Sequence, residues 1–169
     1  MTAKQAEQDV RMEVKGLMLD PSSKTPIVLL HDPVDHAYLP IRIGDIDANA
    51  IALSLEGVEP PRPMTHDLLM SSLGSLGAEV EKVTICGLQE STILAEILVK
   101  GNTGQHHLVD SRPSDAIALA LRAGAPIYAL REVLETARAS ELVSRLSDDE
   151  KVKKWLEEAS DEDFGEYEM

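Results

Sequence analysis

The 169-residue chain has a single cysteine, Cys86, which excludes both an intrachain disulfide and a zinc site built on cysteines. Aromatics are almost as scarce. Ahead of Trp155 only Tyr38 and Tyr128 occur, too few for a platform on which nucleic-acid bases stack. No apolar run nears the roughly 20 residues of a membrane span. The polar start MTAKQAEQDVRMEV lacks the apolar stretch of a secretory signal. Basic residues are outnumbered, 16 Lys and Arg against 30 Asp and Glu, for a net charge of −14. A field of that sign repels phosphate backbones, so chemistry on nucleic acid here requires a local basic patch, a metal ion, or both. The Gly-rich phosphate loop, the HExxH zinc helix and the Gly-x-Ser-x-Gly elbow are all missing. These absences fit a cytoplasmic globular protein with no membrane partner.

What is present reads as a compact α+β domain with mixed or antiparallel strands, about three core helices and a helical C-terminal extension. Apolar alternation predicts strands over Val10–Leu19, Pro26–Leu30 and Tyr38–Ile43, separated by the turn clusters after Asp20 and His31. The period then becomes helical over Gly44–Leu55, with Asp45 as N-cap, a stripe of Ile46, Ala50, Ala52 and Leu53, and Gly57 as the stop. After a proline-rich stretch, Thr65 caps a second helix whose apolar face is Leu68, Leu69, Leu73 and Leu76. Strands follow at Glu79–Cys86, Thr92–Val99 and Gln105–Asp110. Pro113 opens a third helix that Gly124 closes, and Pro126–Leu130 is a last strand. The expected organisation is a flexible N-terminus over 1–9, a domain over 10–138, a helical extension over 139–160 and a disordered acidic tail over 161–169. A capping box at Ser147–Glu150 starts the helix Asp148–Ala159 within that extension.

The chemistry-bearing residues cluster twice. Arg62-Pro63-Met64-Thr65-His66-Asp67 and Arg112-Pro113-Ser114-Asp115 each set an Arg-Pro pair before an acid at a helix start. Asp67 and Asp115 suit the positive end of a helix dipole whatever else they do. A cation there opposes the dipole, so Arg62 and Arg112 call for a carboxylate or a phosphate. Asp67, Asp110 and Asp115 could hold Mg²⁺ or Mn²⁺, His66 could carry a proton, and Arg62, Thr65, Arg112 and Ser114 could bind a phosphate. The same residues could equally be ion pairs that pin two loops. His31 and His36 read as solvated loop. His106 and His107 point to opposite sides of a strand, one exposed and one half-buried, and Cys86 reads as a small buried hydrophobe.

The stretches PRPMTHDLL and DSRPSDAIALALR, with LPIRIGDIDANAIALSLEG, LGAEVEKVTICGL and GAPIY in the same order, resemble the bifunctional nuclease (BFN) family from about Arg11 to Leu134. The resemblance implies a homodimeric α+β domain, hydrolysis of phosphodiester bonds in DNA and RNA, and a polar signature at Arg62, Thr65, His66, Asp67, Asp110, Arg112, Ser114 and Asp115. This chain departs from the family where many members have Glu after the Ile-Gly pair: here stands Asp47, or Asp45. It also has Ile93-Leu94 where an aromatic pair often follows the threonine at Thr92.

Two functions remain open on these grounds. A metal-dependent nuclease requires the two Arg-Pro segments to converge to within about 15 Å, the span of one shared phosphate and its ligands. A non-catalytic homodimeric module that binds a small anion or a partner protein requires neutralised Arg62 and Arg112 and no open pocket.

Overall fold

A computed structural model describes residues 9–20, 23–89 and 92–138. Residues 1–8 of the expected flexible N-terminus, the extension with its Asp148–Ala159 helix, and the acidic tail lie outside the described residues. Seven strands and four helices follow in the order β1 (Asp9–Leu19), β2 (Pro26–His31), β3 (Tyr38–Arg42), α1 (Asp45–Leu55), α2 (Thr65–Ser75), β4 (Glu79–Gln89), β5 (Thr92–Lys100), β6 (His106–Ser111), α3 (Pro113–Ala123), β7 (Ile127–Leu130) and α4 (Arg131–Arg138).

The strands form one mixed sheet in the order β3-β2-β1-β7-β4-β5-β6. Every pairing is antiparallel except β4 with β7. The long β1 joins the two halves. Its Asp9–Met12 portion pairs with β7, and from Glu13 onward the strand pairs with β2, with an irregularity between Val14 and Gly16. A bulge bends a strand and sharpens its twist, which lets one strand serve both halves. The expected α+β class with a mixed sheet is the observed one.

α3 is the central helix. Ala116, Ile117, Ala118, Leu119 and Ala120 are all buried, so the helix is covered all round and is not amphipathic in the usual sense. It lies on β4 and β5 and carries α1 and α2 against it. The alanines at 116, 118 and 120 allow those neighbours to approach closely. Pro113 supplies a preset φ in the first turn, and Gly124 closes the helix in the left-handed region at φ 63°. Gly124→Ala is expected to cost about 1 kcal/mol, because a Cβ is disfavoured at that φ. The midpoint of thermal unfolding then falls by roughly 2–4 °C. An unchanged midpoint would show that the cap contributes nothing.

Packing overrides the sequence pattern in α1 and α2. On α1 the buried residues are Ala48, Ala50 and Ile51, while Ile46 is 82% exposed. The helix turns its small side to α3, where close approach is worth more than the bulk of one isoleucine. Gly44 is its N-cap, and Asp45 is the first helical residue. On α2, Leu68 and Leu76 are 60% and 73% exposed, Leu69 is exposed too, and His66 is the only buried residue. Only Leu73 and Met70 reach the core from this helix. Met64 occupies the N-cap position expected for Thr65. Its backbone N–H is instead taken up by Asp67 Oδ2 at 2.9 Å, the half of a capping box that the N3 residue supplies.

Candidate active site

The starts of α1, α2 and α3 bring the two Arg-Pro segments together. His66 Nε2 lies 3.0 Å from Asp115 Oδ1, across 49 residues of sequence. Convergence of the segments, which a shared phosphate site requires, is therefore met. Arg112 grips the same carboxylate in a fork: Nε donates to Asp115 Oδ2 at 2.7 Å and Nη2 to Oδ1 at 3.0 Å. Its outer edge reaches α1, with Nη2 3.1 Å from Asp47 Oδ1 and Nη1 3.3 Å from Asp47 Oδ2. The chain of partners thus runs Asp47–Arg112–Asp115–His66. Asp47, not Asp45, is the acid after the Ile-Gly pair that enters it.

A second pair braces the turn on which His66 stands. Arg122 Nε donates to Asp67 Oδ1 at 2.6 Å, and its Nη1 donates to the carbonyls of Ala50 and Ala118 at 3.1 and 3.0 Å. One guanidinium thereby ties α1, α2 and α3 together. Nothing in the sequence signals this role. A base in the last turn of α3 reads simply as a complement to the helix dipole, and Asp67 lies 55 residues away.

These contacts set the charge states. Arg122 donating to Asp67, with the Met64 N–H, holds that carboxyl below its ordinary 3.8. At Asp115 burial opposes ionisation most strongly. It is outweighed by hydrogen bonds from Arg112 and His66 and by their charges, so this carboxyl is also held low. A depressed folded-state pKa contributes stability above the ordinary carboxylate range that is lost as pH falls through the folded value. The unfolding midpoint is therefore expected to fall as the pH is taken down through and below the ordinary carboxylate range, and Asp67→Asn should flatten that dependence. Equal slopes in wild type and variant would remove Asp67 from the account.

The other expected residues fall into place around this core. Ser114 is 5% exposed and lines the adjoining groove. Arg62 and Thr65 are exposed at the mouth of α2, and Arg62 has no hydrogen bond or ion pair among the described residues. Asp110 does not join. It pairs in register with Glu96, while its neighbour Ser111 pairs with Ala95, which is fully buried in the core. Successive residues of a strand face opposite ways, so Asp110 and Glu96 stand on the far face of the sheet from α3. Their effect is felt there by Cys86. Burial, then the Glu96 and Asp110 charges, push its thiol up, and it is half-buried where full burial was expected.

The expected Asp67, Asp110 and Asp115 ligand set is therefore not assembled. Asp67 and Asp115 spend their oxygens on arginines, and no group of three or more metal-ligating side chains meets among the described residues. The remaining histidines stand apart from the site. His106 and His107 are both exposed, and His106 contacts Glu81 at 2.7 Å. His31 packs on Tyr38 at a centroid distance of 4.8 Å, beside a buried Asp32 that accepts the Val34 N–H. That turn is more structured than the solvated loop expected.

A groove of about 780 Å³ opens beside the network. Leu39, Ile41 and Ile43 of β3, Ile93 of β5 and Val133 of α4 form aliphatic walls, and Asp47, Arg112 and Ser114 also line it. Thr92 is part of this lining, and so is Ile93, the first of the two positions after it where an aromatic pair is common in the family.

The family model described as "Bifunctional nuclease domain" matches residues 28–141. The chain belongs to the bifunctional nuclease family. Two curated relatives are each 39% identical over 164 residues, covering 90% of this chain and 96% of the relative. They are the uncharacterized proteins Rv1829 and MT1877 from two strains of Mycobacterium tuberculosis. The family match spans α1, α2 and α3, and so contains every member of the Asp47–Arg112–Asp115–His66 chain. Among the described residues of this bifunctional nuclease domain, no helix is long and apolar enough to cross a membrane.

Proposed function

We propose that the protein hydrolyses phosphodiester bonds in DNA or RNA, with His66 as proton carrier and Asp115 as its orienting partner. The observation that carries this reading is the 3.0 Å contact from His66 Nε2 to Asp115 Oδ1, itself clamped by Arg112. An imidazole fixed by a carboxylate through one nitrogen has its other nitrogen free to accept a proton from water. His66 Nδ1 has no partner among the described residues, and none of their sealed side-chain nitrogens or oxygens lacks one, so this nitrogen keeps access to solvent. In the reaction, water loses a proton to His66 as its oxygen bonds to phosphorus, the bond to the leaving sugar oxygen breaks, and that oxygen takes up a proton from solvent. Arg62, the unpaired guanidinium at the mouth, and Arg112 supply positive charge to the phosphoryl oxygens.

Among the described residues no three carboxylates, histidines or cysteines come together to hold a metal ion. A Mg²⁺ or Mn²⁺ ion would arrive largely on substrate phosphate oxygens, a mode magnesium commonly uses. The reading includes a homodimer, for which the exposed Leu68 and Leu69 of α2 and its C-cap residue Leu76 offer apolar surface. Sedimentation of wild type against a Leu69→Glu, Leu76→Glu variant tests that part.

The open groove and the unpaired Arg62 favour a nuclease over the non-catalytic module. The Arg112–Asp115 and Arg112–Asp47 pairs are what the module would share. The deciding experiment is cleavage of single- and double-stranded DNA and RNA by rigorously purified protein in Mg²⁺, Mn²⁺ or EDTA. Asp115→Ala and Arg112→Ala variants of confirmed fold run beside it. Cleavage lost in both variants supports the assignment. Equal cleavage by all three, or none by any, returns the chain to the binding module.

A further inference from the structure

We infer that this site takes short oligonucleotides, one or two nucleotides in reach, in preference to long single or double strands. The inference rests on the nuclease reading for the phosphate chemistry and on the groove for the length.

The groove has one polar end. Ser114 lies in the first turn of the 11-residue α3, 5% exposed, lines the groove, and has no hydrogen-bond partner among the described residues. None of the sealed side-chain oxygens among the described residues lacks a partner, so the Ser114 hydroxyl keeps access to the groove, where it can bond a ligand oxygen. It stands where the free N–H groups at the start of α3 and the Arg112 guanidinium also point to an anion. The rest of the lining is mainly aliphatic, through Leu39, Ile41, Ile93 and Val133, with Arg42, Thr92 and Thr136 among it. The aliphatic side chains offer cover to a sugar and base. A volume of about 780 Å³ is that of a small-ligand pocket and not of a polymer track.

Charge sets the upper limit on length. Long strands bind by neutralising many phosphates along a basic path. Among the described residues the only cations in the groove wall are Arg42 and Arg112, and each already holds a carboxylate, Asp20 for the first and Asp47 with Asp115 for the second. Around them the chain carries −14. Each added nucleotide therefore brings repulsion and no new attraction.

The test is equilibrium binding, read by calorimetry at fixed salt, of a 5′-phosphorylated dinucleotide and of a strand of roughly 20 nucleotides with the same composition. Wild type and Ser114→Ala are compared, with circular dichroism as the control for folding. The dinucleotide should bind at least about tenfold more tightly per molecule, and Ser114→Ala should weaken it about fivefold or more. Equal or tighter binding of the long strand overturns the length preference, as does no binding of the dinucleotide. Dinucleotide binding without cleavage of any substrate overturns the nuclease reading and leaves the ligand class standing. Cleavage of long strands with tighter binding of them does the reverse.

Discussion

Arg122→Ala is expected to lower stability by about 2–4 kcal/mol, the largest loss of any single substitution around the site. The guanidinium side chain is 12% exposed and Asp67 is 27% exposed, so the pair is screened far less than one on the open surface. Removing the arginine leaves Asp67 with only the Met64 N–H and takes a donor from the Ala50 carbonyl. It also opens a gap where α1, α2 and α3 meet. For a chain of this size the unfolding midpoint should drop by roughly 5–15 °C. Arg122→Lys should recover only part of this, because a single ammonium cannot reproduce the fork that serves a carboxylate and two carbonyls. Urea or thermal denaturation reads both variants. A midpoint within about 2 °C of wild type for Arg122→Ala would sink the idea that this residue braces the three helices.

His66→Gln is expected to reduce turnover by about 10²–10⁴, the usual contribution of a positioned proton carrier. Glutamine keeps a donor for Asp115 Oδ1 and so preserves the contact that joins α2 to α3. It cannot take up a proton from water. Substrate binding should change little, which separates the loss from a simple loss of affinity. Asp115→Asn should also cost activity, by about 10²-fold or more, because an amide can present the imidazole with the wrong partner. It also frees Arg112 from one of its two carboxylates. Activity of His66→Gln within about threefold of wild type would exclude the histidine as the base, whatever becomes of the nuclease reading.

Much of this site could be read along the chain because its parts are local. Arg112, Pro113 and Asp115 are the start of a helix in any context, since proline and an acid both suit a first turn and Gly124 suits the end. The helix Pro113–Ala123 is accordingly found with the bounds expected of it. The same holds for His66 and Asp67, whose spacing from Met64 already allows the Asp67 carboxylate to reach back to the backbone. Residues whose role depends on a distant partner could not be read in that way. Asp47 and Arg122 lie far along the chain from their partners Arg112 and Asp67, and nothing near them in the sequence marks the encounter. Asp110 misled for the converse reason. Five residues from Asp115 in sequence, it stands on a strand whose register with Glu96 turns it to the other face of the sheet.

The apolar patterns divide in a similar way. On α3 the sequence is apolar enough all round that no choice of face is needed, and the helix is buried. On α1 and α2 several faces compete. The leucines of α2 describe a convincing stripe, yet His66, Leu73 and Met70 are turned inward while Leu68, Leu69 and Leu76 remain outside. The buried His66–Asp115 contact and the Arg122–Asp67 pair set the rotation of that helix, and they outweigh the leucines it leaves in water.

By itself the sequence determined the element order, the α+β class, the central helix with its two caps, the absence of disulfide chemistry, and membership of the bifunctional nuclease family. All of these rest on interactions within a few residues or on composition. Only the tertiary structure decided which carboxylates share a centre, that Arg112 is held between Asp47 and Asp115, that Arg122 ties three helices, and that Ser114 looks into an aliphatic groove. Those outcomes depend on strand register and on the faces helices present to one another. Such choices are made by the packing of the whole domain, where a one-residue slip or a quarter-turn moves every side chain and leaves the local pattern unaltered.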